Sequence, residues 1–159
     1  MSRQEGAALL LMPYSHLLVP SDGSELSSRA IDHAVNLAAA LGARITFLHV
    51  VANTPIPLIG LGERLDVQTM ELLIAASHQE SDRILDQASL AASLAGVSAQ
   101  CERVPGDLPH RAIVDTAQRL GCDLILMASH GRRGLPGLLI GSETQRVLAL
   151  AHCPVLVYR

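Results

Sequence analysis

Five short apolar runs alternate with segments whose apolar residues recur every three or four positions. This alternation limits the fold more than any other feature of the chain. The runs are His16 to Pro20, Arg44 to Val51, Ser98 to Val104, Asp123 to Ala128 and Pro154 to Tyr158. Arg44 to Val51 reads as a strand buried on both faces, as parallel strands covered by helices are. Between the runs, Leu26, Ala30, Ala34, Ala38 and Leu41 recur at helical spacing and Gly42 closes the segment. Val67 to Ala95 predicts a long helix with Leu73, Ala76, Ile84, Ala88, Ala91 and Ala95 on one face, and Gly96 as its stop. Pro109 suits the first turn of a helix running to Leu120 and capped by Gly121. Ser142 to Ala151 predicts the last helix. With right-handed crossovers, this βα-βα-βα-βα-β order gives an α/β fold, a doubly wound five-stranded parallel sheet. The expected strand order is 3-2-1-4-5. The chain then reverses direction between strands one and four, and ligands bind outside the carboxyl ends of strands at such a switch point.

Composition agrees with helices on a sheet. Hydrophobic residues make up 49% of the chain but aromatics only 2%, so the core has to be aliphatic. At 159 residues the chain is expected to form one domain over 16–159, preceded by an extension over 1–15. The apolar stretch Gly6 to Met12 belongs to that extension; it is too short to cross a bilayer, and Pro13 ends it without a small-residue cleavage site. A net charge of -3 and few aromatics offer nucleic acid neither a basic field nor a stacking platform. All 12 basic residues are Arg, which removes the phosphate-loop Lys of a Walker A site and any Schiff-base chemistry. Cys101, Cys122 and Cys153 form no C-x-x-C pair and read as buried thiols in a reducing compartment. The seven His are scattered, and no structural metal is expected. Ala52 to Asp66, with Pro55, Pro57, Gly60 and Gly62, reads as a long loop: a lid, a partner contact or a variable connection.

The candidate site lies on the two loops at the switch point. After strand one come Pro20, Ser21 and Asp22; the Asp22 carboxylate could accept ribose hydroxyls or cap the following helix. After strand four come Ala128, Ser129, His130 and Gly131, then a nine-residue spacer containing Arg132 and Arg133, then Gly141 and Ser142. Glycines admit close backbone approach and positive φ, and a helix N-terminus presents free N–H groups and partial positive charge to an anion. Ser142 is expected as the N-cap, with Gln145 completing an S-x-x-Q capping box. Glu143 and Thr144 follow in the first turn. His130 is a conceivable general base, but no carboxylate is near it in sequence to orient it.

These motifs resemble the nucleotide loop of the universal stress protein family, G-x2-G-x9-G-(S/T), with Ala128 at the first glycine. The resemblance extends over His16 to Arg159. It includes Val19-Pro20-Ser21-Asp22-Gly23-Ser24, Phe47-Leu48-His49-Val50, Ser129-His130-Gly131-Arg132 and Cys153-Pro154-Val155-Leu156-Val157. It implies a fold of the adenine nucleotide α-hydrolase type and ATP as ligand, with Mg2+ as an optional companion. It also implies a cytoplasmic homodimer paired through Pro154 to Tyr158, a regulatory role in stress response, and slow or no hydrolysis. The Val155-Leu156-Val157-Tyr158 edge independently invites pairing with a second chain. Under the resemblance Ile45 borders the adenine, whereas its own pattern explains it by core packing. The implied nucleotide-binding set is Pro20, Ser21, Asp22, Ile45, Ala128 to Arg132, and Gly141 to Thr144. Two other readings compete: a nucleotide-free dimeric interaction module, and a weak ATPase.

Overall fold

The computed structural model describes residues 13–53, 66–131 and 140–159. Most of the expected extension over 1–15, most of the Ala52 to Asp66 loop, and Arg132 and Arg133 lie outside the described residues. The strands are β1 (His16–Pro20), β2 (Arg44–Val51), β3 (Ala99–Pro105), β4 (Leu124–Ala128) and β5 (Val155–Tyr158). The helices are α1 (Glu25–Leu41), α2 (Val67–Leu94), α3 (Pro109–Leu120) and α4 (Ser142–Leu150). The sheet is parallel throughout, in the order β3-β2-β1-β4-β5.

Local chemistry sets the helix ends. Ser24 caps α1 by accepting the Ser27 N–H, and Gly42 ends it at φ 64°. Gly121 ends α3 in the same left-handed conformation. The core has two layers. Leu17, Val19, Ile45, Phe47, Leu124, Leu126 and Ala128 meet the alanine-rich faces of α1 and α2 on one side of the sheet. Leu18, Leu48, Ile125 and Met127 meet α3 and α4 on the other. β1 lies between β2 and β4 in the middle of the sheet and is buried on both faces because α1 and α2 cover one side and α3 and α4 the other.

The apolar face expected along α2 holds only in its carboxyl half. Ile84 and Ala88 are buried with Ser81, Leu85 and Ala92, but Leu73, Ala76 and Ala95 are exposed, as is Leu72 at 71%. Ala95 is the C-cap, past the last helical residue; for Leu72, Leu73 and Ala76 the reason is length. At 28 residues α2 spans about 42 Å. The eight residues of β2 beneath it span about 26 Å, so the first turns run past the sheet. Among the thiols only Cys122 is buried; Cys153 is half-buried and Cys101 exposed. Burial in the second core layer pushes the Cys122 thiol up to about 11. Among the described residues no helix is long and apolar enough to cross a membrane.

At the amino end of the sheet, Asp123 ties β4 to β1 by accepting the Ser15 N–H (2.8 Å), the Ser15 hydroxyl (2.7 Å) and the His16 N–H (3.0 Å). His16 is buried there, with Nε2 2.8 Å from the Thr46 hydroxyl and Nδ1 without a hydrogen-bond partner. Burial, followed by the Arg44 charge, lowers its pKa, against a smaller opposing effect of Asp123. The unfolded chain therefore binds the extra proton more readily, and stability is lost as pH falls from about 6.5 toward the folded value. Urea unfolding of the wild type is expected to show this loss between neutral and mildly acid pH. His16→Gln should flatten it; equal slopes in both proteins would refute the assignment.

Candidate functional site

Two turns meet at the carboxyl ends of β1 and β4. The first begins at half-buried Pro20. Ser21 extends the sheet by donating its N–H to the Leu48 carbonyl at 2.9 Å. Its hydroxyl lies 3.1 Å from that of Ser27 and accepts the Gly23 N–H at 3.2 Å, while its carbonyl accepts His49 Nδ1–H at 2.8 Å. Ser21 thus spends its side chain on the turn, and the next polar side chain is that of Asp22, half-buried. Asp22 Oδ1 accepts the Ser24 N–H at 3.0 Å. Gly23 allows the bend with φ 75°.

The second turn closes on itself. Ser129 donates its N–H to the Tyr158 carbonyl at 2.7 Å, and its own carbonyl accepts the Gly141 N–H at 2.6 Å. The loop therefore leaves and re-enters at one point. His130 Nδ1 lies 3.1 Å from the Ser129 hydroxyl. Gly141 is the N-cap of α4, in place of the expected Ser142, which is the first helical residue. The capping box does not form. Gln145 Nε2 instead donates to the Ile140 carbonyl at 3.0 Å, because a glycine cap offers no side-chain oxygen. The helical ladder starts with Gln145 N–H to the Gly141 carbonyl at 3.0 Å. The N–H groups of Ser142, Glu143 and Thr144 thus lead the helix with no carbonyl behind them.

Neither Gly131 nor Gly141 adopts positive φ; both are glycine for want of space. A Cβ on Gly131 would lie 2.1 Å from Asp22 Oδ2. One on Gly141 would lie 3.3 Å from His130 Cα, His130 Cβ and the Ser129 carbonyl oxygen. Asp22 against Gly131 therefore brings the two turns into contact, and Gly141 against His130 closes the second turn on itself. Ala128, at the first glycine position, ends β4 with its methyl in the first core layer.

Three expected site residues are placed differently. Ile45 lies near the start of β2, paired with Leu17 and Ala99 inside the core. It lies three residues, about 10 Å, before Leu48, the residue of β2 that pairs with Pro20. In a parallel sheet the start of a strand is the end remote from the switch point, so Ile45 cannot join the other residues. The Thr144 side chain is buried, and its hydroxyl donates to the Ala128 carbonyl at 3.1 Å, pinning α4 to β4. Glu143 turns away to α3. Its Oε2 accepts the His110 N–H at 2.9 Å and lies 2.9 Å from His110 Nδ1, and its Oε1 accepts Arg146 at 2.6 Å. Burial opposes ionisation of Glu143, but the His110 and Arg146 bonds outweigh it and hold the carboxyl below the usual range. This carboxylate supplies α3 with the cap that Leu108 does not. Glu143→Ala is expected to cost about 1 kcal/mol in urea unfolding without weakening nucleotide binding. Weakened binding at unchanged stability would return Glu143 to the site. Thr144 and Glu143 can reach a ligand through their backbone N–H groups alone.

A cavity of about 320 Å³ opens beside Gly131, lined by Ser24, Glu25, Leu26, Arg29 and His130. A larger one, about 670 Å³, lies over the carboxyl end of β3 against α3, between Asp107 and Arg119. It touches neither Gly131 nor Gly141, so the smaller cavity is the one that belongs to the switch point. Sequence reasoning missed its α1 wall, although Glu25 and Arg29 follow the Ser24 cap at helical spacing. It also missed His49, which holds the Ser21 carbonyl. Arg132 lies outside the described residues.

The model of the universal stress protein family matches residues 13–159. Universal stress protein MJ0531 of Methanocaldococcus jannaschii is 34% identical over 92% of this chain and 82% of its own length. The structure of universal stress protein UspA from Lactobacillus plantarum is similar with a TM-score of 0.73 and 27% identity, covering 92% of this chain and 98% of that one. A crystal structure of a universal stress protein in complex with cAMP is similar with a TM-score of 0.68 and 25% identity, covering 92% and 98%.

Proposed function

The chain belongs to the universal stress protein family, and on that premise we propose that it binds ATP at the switch point between β1 and β4. It acts there as a cytoplasmic regulatory homodimer that hydrolyses the nucleotide slowly or not at all. The observation that carries the reading is the contact of the two turns, with Asp22 where a Gly131 side chain would be, beside a second turn in which the His130 backbone lies against Gly141. Backbone this bare can approach phosphates, and the leading N–H groups of α4 supply donors and partial positive charge. Asp22 is the acceptor for ribose hydroxyls, with Pro20 and Ser21 shaping its turn. Ala128, Ser129, His130, Gly131 and Arg132 form the loop side, and Gly141 and Ser142 the helix side. The relative solved with cAMP supports an adenine nucleotide as the ligand class. Mg2+ would arrive on the phosphates, which provide the oxygen ligands it favours.

The dimer in this reading pairs β5 with β5. Val155 to Tyr158 are half-buried and form one edge of the sheet, the kind of edge that a second chain can extend. Residues 16–159 are read as the single domain that carries both functions.

The test is to denature the purified protein, identify any released nucleotide, and titrate the stripped protein with Mg-ATP by calorimetry, alongside sedimentation equilibrium. One ATP per chain and a dimer are expected. A dimer that neither releases nor binds nucleotide would favour the interaction module instead.

A further inference from the structure

The cavity beside Gly131 has a wall that the nucleotide reading leaves unused. Glu25 and Arg29 stand four residues apart on α1, the arrangement in which an acidic residue most easily pairs with a basic one on a helix. Here they do not pair. Arg83, Arg103, Arg119 and Arg146 each hold a carboxylate, whereas Arg29 makes no ion pair or hydrogen bond among the described residues. Across the cavity, His130 has Nδ1 against the Ser129 hydroxyl, which leaves Nε2 as its other polar atom. A guanidinium without a carboxylate, an imidazole and the bare backbone of Gly131 thus share one concavity of about 320 Å³. A guanidinium in such a place suits an oxyanion, because its planar fork donates to two oxygens at once.

We propose that this cavity receives the terminal phosphates of a nucleoside di- or triphosphate, and that Arg29 sets the preference for chain length. The inference rests on the nucleotide reading above. The phosphate next to the ribose is held by the Gly131 and α4 backbone, which a monophosphate also reaches. Only a longer chain extends to the α1 wall. Glu25 works against this, since its carboxylate lies in the same wall and repels an anion. Removing the two side chains should therefore have opposite effects.

The test is calorimetric titration of the wild type, Arg29→Gln and Glu25→Gln with AMP, ADP and ATP. Both side chains are exposed on the helix surface, and circular dichroism will report that the fold is kept. The wild type should bind ATP more tightly than AMP. Arg29→Gln should lose about tenfold in ATP affinity and keep its AMP affinity, and Glu25→Gln should tighten ATP alone. If Arg29→Gln weakens AMP and ATP equally, or neither, the subsite is refuted and the nucleotide site stands. If the wild type binds none of the three, both readings fall.

Discussion

Gly131→Val is expected to reduce ATP affinity at least about a hundredfold, equivalent to losing one or two charge-assisted hydrogen bonds, while the chain stays folded. A side chain at this position meets Asp22 first, with Cβ 2.1 Å from Oδ2 and 3.1 Å from Cγ. Those atoms end a short, half-buried side chain, which can swing away at the cost of its bond to the Ser24 N–H, about 1 kcal/mol. The cost to binding is larger, because the same movement removes the ribose acceptor and puts bulk where phosphate should lie. Gly141→Val provides the contrast. Its Cβ would meet the backbone of His130 and the Ser129 carbonyl at 3.3 Å. That carbonyl cannot retreat without breaking its 2.6 Å bond to the Gly141 N–H. Gly141→Val should therefore lose stability as well as binding. Thermal melts and ATP titrations of the two variants separate these effects. Wild-type affinity in a folded Gly131→Val protein would place the nucleotide elsewhere.

Phe47→Ala should be the most destabilising single truncation in the core, at about 3–5 kcal/mol. Phe47 is the only phenylalanine and is fully buried, between Val19 of β1 and Cys101 of β3 in the sheet. The helices above this face contribute mostly Ala: Ala30, Ala34 and Ala38 from α1, Ala88 and Ala92 from α2. Such short side chains have no length to fold into the space a ring vacates, so the cavity should stay open. For a domain of ordinary stability this loss is a third or more of the total, and it corresponds to a fall in melting temperature of about 10 °C. Urea unfolding measures it directly. A cost near 1 kcal/mol would mean that the layer collapses around the hole, and Phe47→Leu should recover much of the loss in either case.

Much of the fold was legible in the residues. β1, β2 and α3 end where their apolar period, caps and breakers predict, and the strand order follows from parallel connections of one hand. The switch point, and with it Asp22 and the Ala128-to-Ser142 loop, came from the same rules. The misplacement of Ile45 was avoidable, because the beginning of a parallel strand is always the end away from such a site. The directions of Glu143 and the Thr144 hydroxyl were not legible. Their partners, His110 and Ala128, are 33 and 16 residues away, and nothing in the local pattern names them.

The sequence by itself determined the elements, their order and the two loops that meet, since backbone conformation, capping and hydrophobic period act over a few neighbouring residues. Tertiary structure alone decided how those loops are used. Asp22 sits where a Gly131 side chain would go, Arg29 and His130 line one cavity, Glu143 caps a different helix, and the first turns of α2 run beyond the sheet. Each of these is a distance between parts of the chain that only packing brings together, and no short-range preference encodes it.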